Sequence, residues 1–156
     1  APLRHEPDYM MQGFTLQRFG ADGALRVQIQ GERMRHYPDT DTMEIDQPTI
    51  RATAPDGSVT VASALLAVSN GDATQVQLQG GARVRREATA TAAAIEFESE
   101  FLHAFLDTER VSSHLPVRLR QGTSEMRVAS LEYDYLTRSA KFGGPLRARF
   151  DVPARK

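Results

Sequence analysis

The sequence predicts an all-β fold, a single antiparallel sandwich or jelly roll with little or no helix. Apolar and polar residues alternate in several runs, such as ALRVQIQ at 24–30, which is typical of half-buried antiparallel strands. Turn-forming segments separate these runs, and a hairpin-like pattern recurs four times along the chain. With 156 residues and a net charge of −1, the chain has the size and composition of one soluble globular domain.

The strands follow from the alternating runs in chain order. Val27 and Ile29 share one face of the run at 24–30, and the runs at 76–79 and 117–120 repeat this pattern. The alanine-rich segment 87–106 is the best helix candidate. Its second half nevertheless alternates Ile95, Phe97 and Phe101 with glutamates, and we therefore predict a strand there.

The repeat predicts how these strands assemble. Four similar segments begin at Met34, Leu65, Leu102 and Leu131, and each contains a polar turn, an alternating strand and a Pro or Gly before another strand. A two-stranded unit cannot bury its own apolar face, so neighbouring units must stack. We expect residues 1–156 to form one domain, with a leading segment at 1–7 and a flexible tail at 153–156.

Four carboxylates crowd the segment HYPDTDTMEIDQP at 36–48 and raise the question of a metal loop. A calcium loop starting at Asp39 would need an oxygen ligand at Met43 and a glycine at Glu44. We interpret Asp39 and Asp41 as turn residues that bond their own backbone. Glu44 and Asp46 belong to the polar face of the next strand.

Three glutamates at 96, 98 and 100 raise the question of a carboxylate pair for catalysis. Neighbouring members would lie roughly 6.6–6.8 Å apart along a strand, which is within the separation used by inverting glycosidases. Alternation, however, places them opposite Phe97 and Phe101, where solvent keeps them ionised. We therefore assign no catalytic residue to this face.

Other site chemistries find little support. The chain has no cysteine, which excludes thiolate zinc sites and cysteine nucleophiles, and its four histidines lack metal-ligand spacing. There is no nucleophile elbow and no phosphate or dinucleotide loop, although a Ser-His-Asp set assembled in space stays open. Lys and Arg number 19 against 20 Asp and Glu, which disfavours nucleic acid. We predict no catalytic residues, no metal and no cofactor.

Several stretches together resemble the periplasmic domain of the lipopolysaccharide export protein family LptC. They are residues 7–39 (PDYMMQGFTLQRFGADGALRVQIQGERMRHYPD), 47–50 (QPTI), 78–86 (LQGGARVRR) and 126–135 (MRVASLEYDY). The first stretch is the most specific, and the resemblance spans roughly 7–152. It implies a V-shaped or boat-like β-jelly roll that passes lipopolysaccharide along an apolar interior without catalysis.

The resemblance also implies partners and a location. We expect an LptB/LptF/LptG-type ABC transporter at the N-terminal side and an LptA-like periplasmic jelly roll at the C-terminal edge, with strands added edge to edge. Tyr9 and Phe19 would mark the first edge strand, and Leu146 and Phe150 the last. We expect the periplasmic domain of an inner-membrane-anchored protein, with the membrane helix outside this sequence.

The inward apolar positions are the predicted lipid-binding residues, and any one of them would serve equally as ordinary core. Two alternatives to the lipid adaptor are a jelly-roll carbohydrate-active enzyme and a structural assembly module without ligand. The predicted lipid-binding set is Phe14, Leu16, Val27, Ile29, Ile45, Val61, Leu78, Ile95, Phe97, Val117 and Leu119.

Overall fold

The computed structural model describes residues 4–144 and 147–149, with side chains for 4–144. Within this part of the chain every regular element is a β-strand and every strand pairing is antiparallel, as predicted. The strands are β1 (Tyr9–Phe19), β2 (Leu25–Tyr37), β3 (Thr42–Asp46), β4 (Thr49–Thr53), β5 (Val59–Ser63), β6 (Leu66–Asn70), β7 (Gln75–Arg86), β8 (Ile95–Phe105), β9 (Arg110–Ser113), β10 (Val117–Gln121), β11 (Ser124–Val128), β12 (Ser130–Asp134), β13 (Ser139–Gly143) and β14 (Arg147–Arg149).

Four long strands, β1, β2, β7 and β8, run through two sheets and join them. The first half of β2 pairs with β4 and its second half with β3, and β7 likewise pairs with β6 and then β5. The first sheet has the order β1-β2-β4-β5-β7-β8-β10-β11-β14. The second has the order β1-β2-β3-β6-β7-β8-β9-β12-β13. The result is a V-shaped jelly roll.

Glycines mark the crease where the long strands pass from one sheet to the other. Gly13, Gly80 and Gly81 adopt positive φ angles of 55°, 81° and 53°, which side chains with a Cβ rarely tolerate. At Gly31 a Cβ would lie 2.5 Å from Cγ2 of Ile45 and 3.1 Å from Cε1 of Phe14. The crease therefore needs glycine for two reasons, the positive φ angles at Gly13, Gly80 and Gly81 and the close approach of Ile45 and Phe14 at Gly31.

The core lies between the two arms of the V. Phe97 of the first sheet is fully buried, and its ring centroid lies 5.2 Å from that of Tyr133 in the second sheet. In each sheet, directly opposed residues of successive strands form an inward-facing row. The first row is Leu16, Ile29, Ile50, Ala62, Val84, Phe97, Leu119 and Met126, and the second is Met34, Ile45, Ala67, Leu78 and Leu102.

The predicted repeat corresponds to successive hairpins, but one of the four apolar residues that begin its units is not buried. Met34, Leu102 and Leu131 are buried as expected, whereas Leu65 is 60% exposed. The buried residue of the second unit is Ala67, which pairs with Leu78 as Met34 pairs with Ile45. Alanine is only weakly apolar, so the sequence pattern favoured the larger Leu65 over Ala67 as the inward residue.

The sequence predicts that Val61 faces inward, but the structure places it on the outer face. It lies directly between Arg51 and Arg85 on the outer face of the first sheet. The inward residue of β5 is Ala62, between Ile50 and Val84. The prediction was wrong because it assigned the larger apolar residue to the interior. In β5 the valine lies outside and the smaller alanine lies inside.

The predicted alternation of β8 also fails beyond Ser99. The register between β7 and β8 shifts between Gln79 and Ala82, at the crease. Leu102 is consequently buried, whereas Phe101 lies on the outer face of the second sheet with His103. A bulge changes which face successive residues occupy. The sequence gives no sign of this bulge, because glutamate and phenylalanine continue to alternate across it.

Candidate lipid-binding cleft

The structure brings ten of the eleven predicted lipid-binding residues into one apolar core, all except Val61. Leu16 and Leu119 pack against this core from partly buried positions, and the other eight are buried. Ile29, Ile45, Leu78 and Phe97 have no exposed surface. The interior between the arms is therefore filled by side chains in this structure.

An open cleft lies at the mouth of the V, opposite the crease. Its volume is about 220 Å³, and both arms contribute to its walls. Val27 is the only predicted lipid-binding residue that lines it. The apolar walls come from Val27, Ala52 and Val84 of the first sheet and from Ala104, Leu106 and Val111 of the second arm.

An ion pair spans this mouth. Arg86 ends β7 in the first sheet, and its Nη2 donates a hydrogen bond of 2.8 Å to Oε1 of Glu109, in the turn between β8 and β9. Both side chains are only 14% exposed. The Arg86 guanidinium also lies 4.6 Å from the ring centroid of Tyr135, within the range of a cation–π contact. We call Arg86, Glu109 and Tyr135 the mouth cluster.

The hydroxyl of Tyr135 is buried and has no hydrogen-bond partner in the described chain. Burial raises the pKa of this phenol, so it stays protonated at physiological pH. Sequence reasoning missed the mouth cluster. Arg86 follows the inward Val84 by two residues, so alternation placed an arginine inside the sandwich, and this signal could have revealed the site.

The glutamates of β8 do not form a catalytic pair. Glu96 and Glu98 lie on the outer face, and both accept hydrogen bonds from Arg120. Burial alone would raise the pKa of Glu98, but hydrogen bonds shared with Glu96 and Arg118 lower it below its usual range. A general acid for glycoside cleavage needs a raised pKa. The pKa of Glu98 is shifted in the opposite direction.

The carboxylates of 39–46 each bind a basic side chain. Asp39 contacts Nδ1 of His5 at 2.9 Å, and Arg35 donates hydrogen bonds to Glu44 and Asp46. The Arg35 guanidinium lowers the pKa of the Asp46 carboxyl.

The predicted backbone bonds of Asp39 and Asp41 are replaced by these and similar contacts. Residues 38–41 do form the turn, but Asp41 accepts from Nε2 of His36 at 3.0 Å. On the other side of this ring, Asp8 contacts Nδ1 at 2.7 Å, and the Tyr9 ring stacks on it at 4.9 Å. Residues 5–9 are thus held against the β2–β3 turn and the end of β2.

The pKa of His36 is expected to lie above the ordinary histidine value of about 6.5, because Asp41 and Asp8 hydrogen-bond the ring and stabilise its charge. A group with a raised folded-state pKa stabilises the fold at low pH and loses this effect as the pH rises through that pKa. NMR titration of the His36 ring should show the raised midpoint, and Asp41→Asn should lower it. An unchanged midpoint in Asp41→Asn would show that the contact does not persist in solution.

The two ends of the sheets carry exposed apolar side chains. Residue Met10 of β1 is 62% exposed, and Tyr9, Met11 and Phe19 of the same strand are also exposed. Within residues 4–144 and 147–149, β1 pairs only with β2. At the other end Phe142 of β13 is exposed. The predicted edge residues Leu146 and Phe150 lie outside the described residues, as does the tail 153–156.

Two further searches concern metals and membranes. In the described part of the chain, no group of three or more His, Asp and Glu side chains is arranged to hold a metal ion. No helix among these residues is long and apolar enough to cross a membrane.

Comparison with known proteins decides the family. The model of the family described as "Lipopolysaccharide-assembly, LptC-related" matches residues 1–151. The chain belongs to the LptC family. No curated protein sequence matches it significantly. Among solved structures, it is similar to LptH of Pseudomonas aeruginosa, described as the LptA-homologous periplasmic component of the lipopolysaccharide transport device, with a TM-score of 0.68.

The similarity to LptH covers 81% of this chain and 95% of LptH at 11% sequence identity, so it concerns the fold. Family and fold agree with the predicted all-β jelly roll. Membership of the LptC family makes this chain a component of lipopolysaccharide assembly.

Proposed function

We propose that this LptC-family domain takes the acyl chains of lipopolysaccharide between the two arms of the V, entering at the mouth cleft, and performs no catalytic step. The observation that carries the proposal is the cleft itself, whose apolar walls come from both arms and continue into the core. Burying acyl chains there is favourable at roughly 0.8 kcal/mol per methylene group.

Lipid entry requires the arms to separate, because the deeper interior is filled by side chains. The long strands hinge at a glycine-rich crease, and the mouth is spanned by the single ion pair described above. Acyl chains replace side-chain contacts by similar apolar contacts, so the opened state keeps much of its dispersion energy. We propose that Val27, Ile29, Ile95 and Phe97 contact lipid in this state.

Photo-crosslinking tests this site directly. A photoreactive amino acid at Val27 or Ala52 should form an adduct with lipopolysaccharide, because both positions line the cleft. Val61 is the matched control, since it lies on the outer face of the same sheet. Equal adducts at Val61 and Val27, or no adduct at any inward position of a folded protein, would exclude the inter-arm site.

We also propose how the domain joins its partners. The N-terminal edge strand β1 accepts a strand from an LptB/LptF/LptG-type transporter, and the C-terminal edge is continued by an LptA-like jelly roll. Unpaired edges with exposed apolar side chains favour strand addition, and β1 carries such side chains at both of its ends. Lipid would then pass from one stacked interior to the next, with energy supplied by the transporter.

The C-terminal edge is tested by truncation. Deleting residues 146–156 removes β14, which pairs with Glu125–Arg127 of β11, together with the residues that follow it. We expect binding to the LptA-like partner to be lost, measured with purified proteins, while the transporter still binds. If the truncated domain keeps its affinity for the soluble partner, this edge is wrongly assigned.

We further propose that a membrane helix outside this sequence anchors the domain to the inner membrane. The carbohydrate-active enzyme is disfavoured by the arginine-paired glutamates of β8. A structural module without ligand would carry no lipid, so mass spectrometry of the purified protein separates it from the adaptor.

A further inference from the structure

The mouth cleft is lined by more arginines than carboxylates, although Lys and Arg number 19 against 20 Asp and Glu in the whole chain. Four arginines and two carboxylates line it, namely Arg18, Arg26, Arg86, Arg110, Asp107 and Glu109. Arg26 pairs with Asp22 at 2.7 Å and Arg110 with Asp134 at 3.6 Å, neither of which lines the cleft. Arg86 pairs inside the cleft, with Glu109, and Arg18 has no ion-pair partner among the described residues.

Arg18 and Tyr135 both have unused hydrogen-bond donors there. Nε of Arg18 and the hydroxyl oxygen of Tyr135 are buried and find no partner among the described residues. A buried polar group without a hydrogen-bond partner is destabilising. Both residues line the cleft, and the Arg86 guanidinium lies over the Tyr135 ring. The unused donors therefore favour a ligand that presents hydrogen-bond acceptors.

We propose that the mouth cluster is a latch opened by an anionic lipid phosphate. In the closed state Glu109 occupies Arg86 and ties the two arms together. In the open state a phosphate on the lipid replaces the Glu109 carboxylate on Arg86 and accepts hydrogen bonds from Arg18 and Tyr135. This inference rests on the proposed function, since it assigns the polar end of the lipid whose acyl chains enter the same cleft.

The geometry explains why this contact is the one to break. Arg86 lies at the end of the first sheet farthest from the crease, and Glu109 lies in the turn at the corresponding end of the second. The contact therefore joins the two arms at the ends that lie farthest from the crease. A phosphate offers more acceptor oxygens than a carboxylate and suits bidentate binding by arginine. Released Glu109 moves from a turn directly into solvent.

The test compares lipid A, which carries phosphates, with dephosphorylated lipid A of the same acyl composition. We expect the wild-type domain to bind lipid A about tenfold more tightly and Arg86→Met to remove most of this preference. Glu109→Gln should strengthen the binding of both lipids several-fold, because it weakens the contact that must break before the arms separate, and it should keep the preference for lipid A, because Arg86 is still present. Arg85→Met is the matched control, since Arg85 lies next in the chain on the outer face.

Two further variants separate binding from folding. Tyr135→Phe removes a hydroxyl that has no partner in the closed state, so it should leave the melting temperature unchanged or higher while weakening lipid A binding. Arg86→Met with Glu109→Met removes both charges together and should fold, bind both lipids and not distinguish them.

Three results would overturn the latch. They are equal affinity of the wild type for the two lipids, an unchanged preference in Arg86→Met, and an equal loss of affinity for both lipids in that variant. If both lipids bind without any preference, the latch fails and the lipid cleft stands. If neither lipid binds the folded wild-type domain, the cleft and the latch fail together.

Discussion

Replacing Phe97 by alanine should lower the free energy of unfolding by about 3–5 kcal/mol, the range for large aromatic residues truncated in a core. Phe97 has no exposed surface, lies between Val84 and Leu119 in the inward row, and contacts two tyrosine rings of the other arm. Its ring is therefore the main aromatic contact between the arms. Urea unfolding followed by circular dichroism measures the change.

Phe101→Ala is the matched control. It removes the same side chain from the same strand, four residues later, but from the outer face, where Phe101 contacts His114. We expect a loss of at most about 1 kcal/mol, as for surface substitutions that remove limited packing. Equal losses for the two variants would contradict the register shift in β8 and return Phe101 to the interior.

A proline at one of two adjacent positions of β1 should abolish partner binding without unfolding the domain. In an antiparallel edge strand, backbone N–H groups point alternately toward the neighbouring strand and away from the sheet. Met10 and Met11 pair with Arg35 and Met34, and both side chains are exposed. Met10→Pro and Met11→Pro therefore lose little packing and differ in which N–H group is removed.

We expect one of the two variants to melt below the wild type, because it loses a hydrogen bond to β2. The other should keep its melting temperature but bind the transporter with an affinity at least about tenfold lower. Its proline removes an N–H donor that points away from the sheet, and it obstructs an added strand. Calorimetry and co-purification with the transporter measure the two effects. If both variants bind the transporter as the wild type does, β1 is not the partner edge.

Much of this arrangement was predictable because sheet structure has a local signature. Alternation identified the strand character of β2, β7, β8 and β10, and turn residues separated the hairpins. It also placed ten of the eleven predicted residues in the core, since the face of a residue within a regular strand depends only on its sequence parity. The same parity put Glu96 and Glu98 of β8 on the polar side.

The errors arose where parity is interrupted or where residue size misleads. Phe101 lies beyond the bulge at the crease, and its face depends on the opposing strand β7. Val61 and Leu65 were favoured over Ala62 and Ala67 because alanine is a weak apolar signal. In the structure these alanines are the inward residues, each directly opposed by larger side chains of neighbouring strands.

By itself, the sequence determined the all-β class, the hairpin order and most of the inward set, because these depend on neighbours along one strand. Only the tertiary structure decided that Arg86, Glu109 and Tyr135 meet across the mouth of the V, and that the opening there is lined by both arms. These contacts join residues from separate strands and turns. Their distances depend on how the two sheets hinge at the crease, which no local pattern encodes.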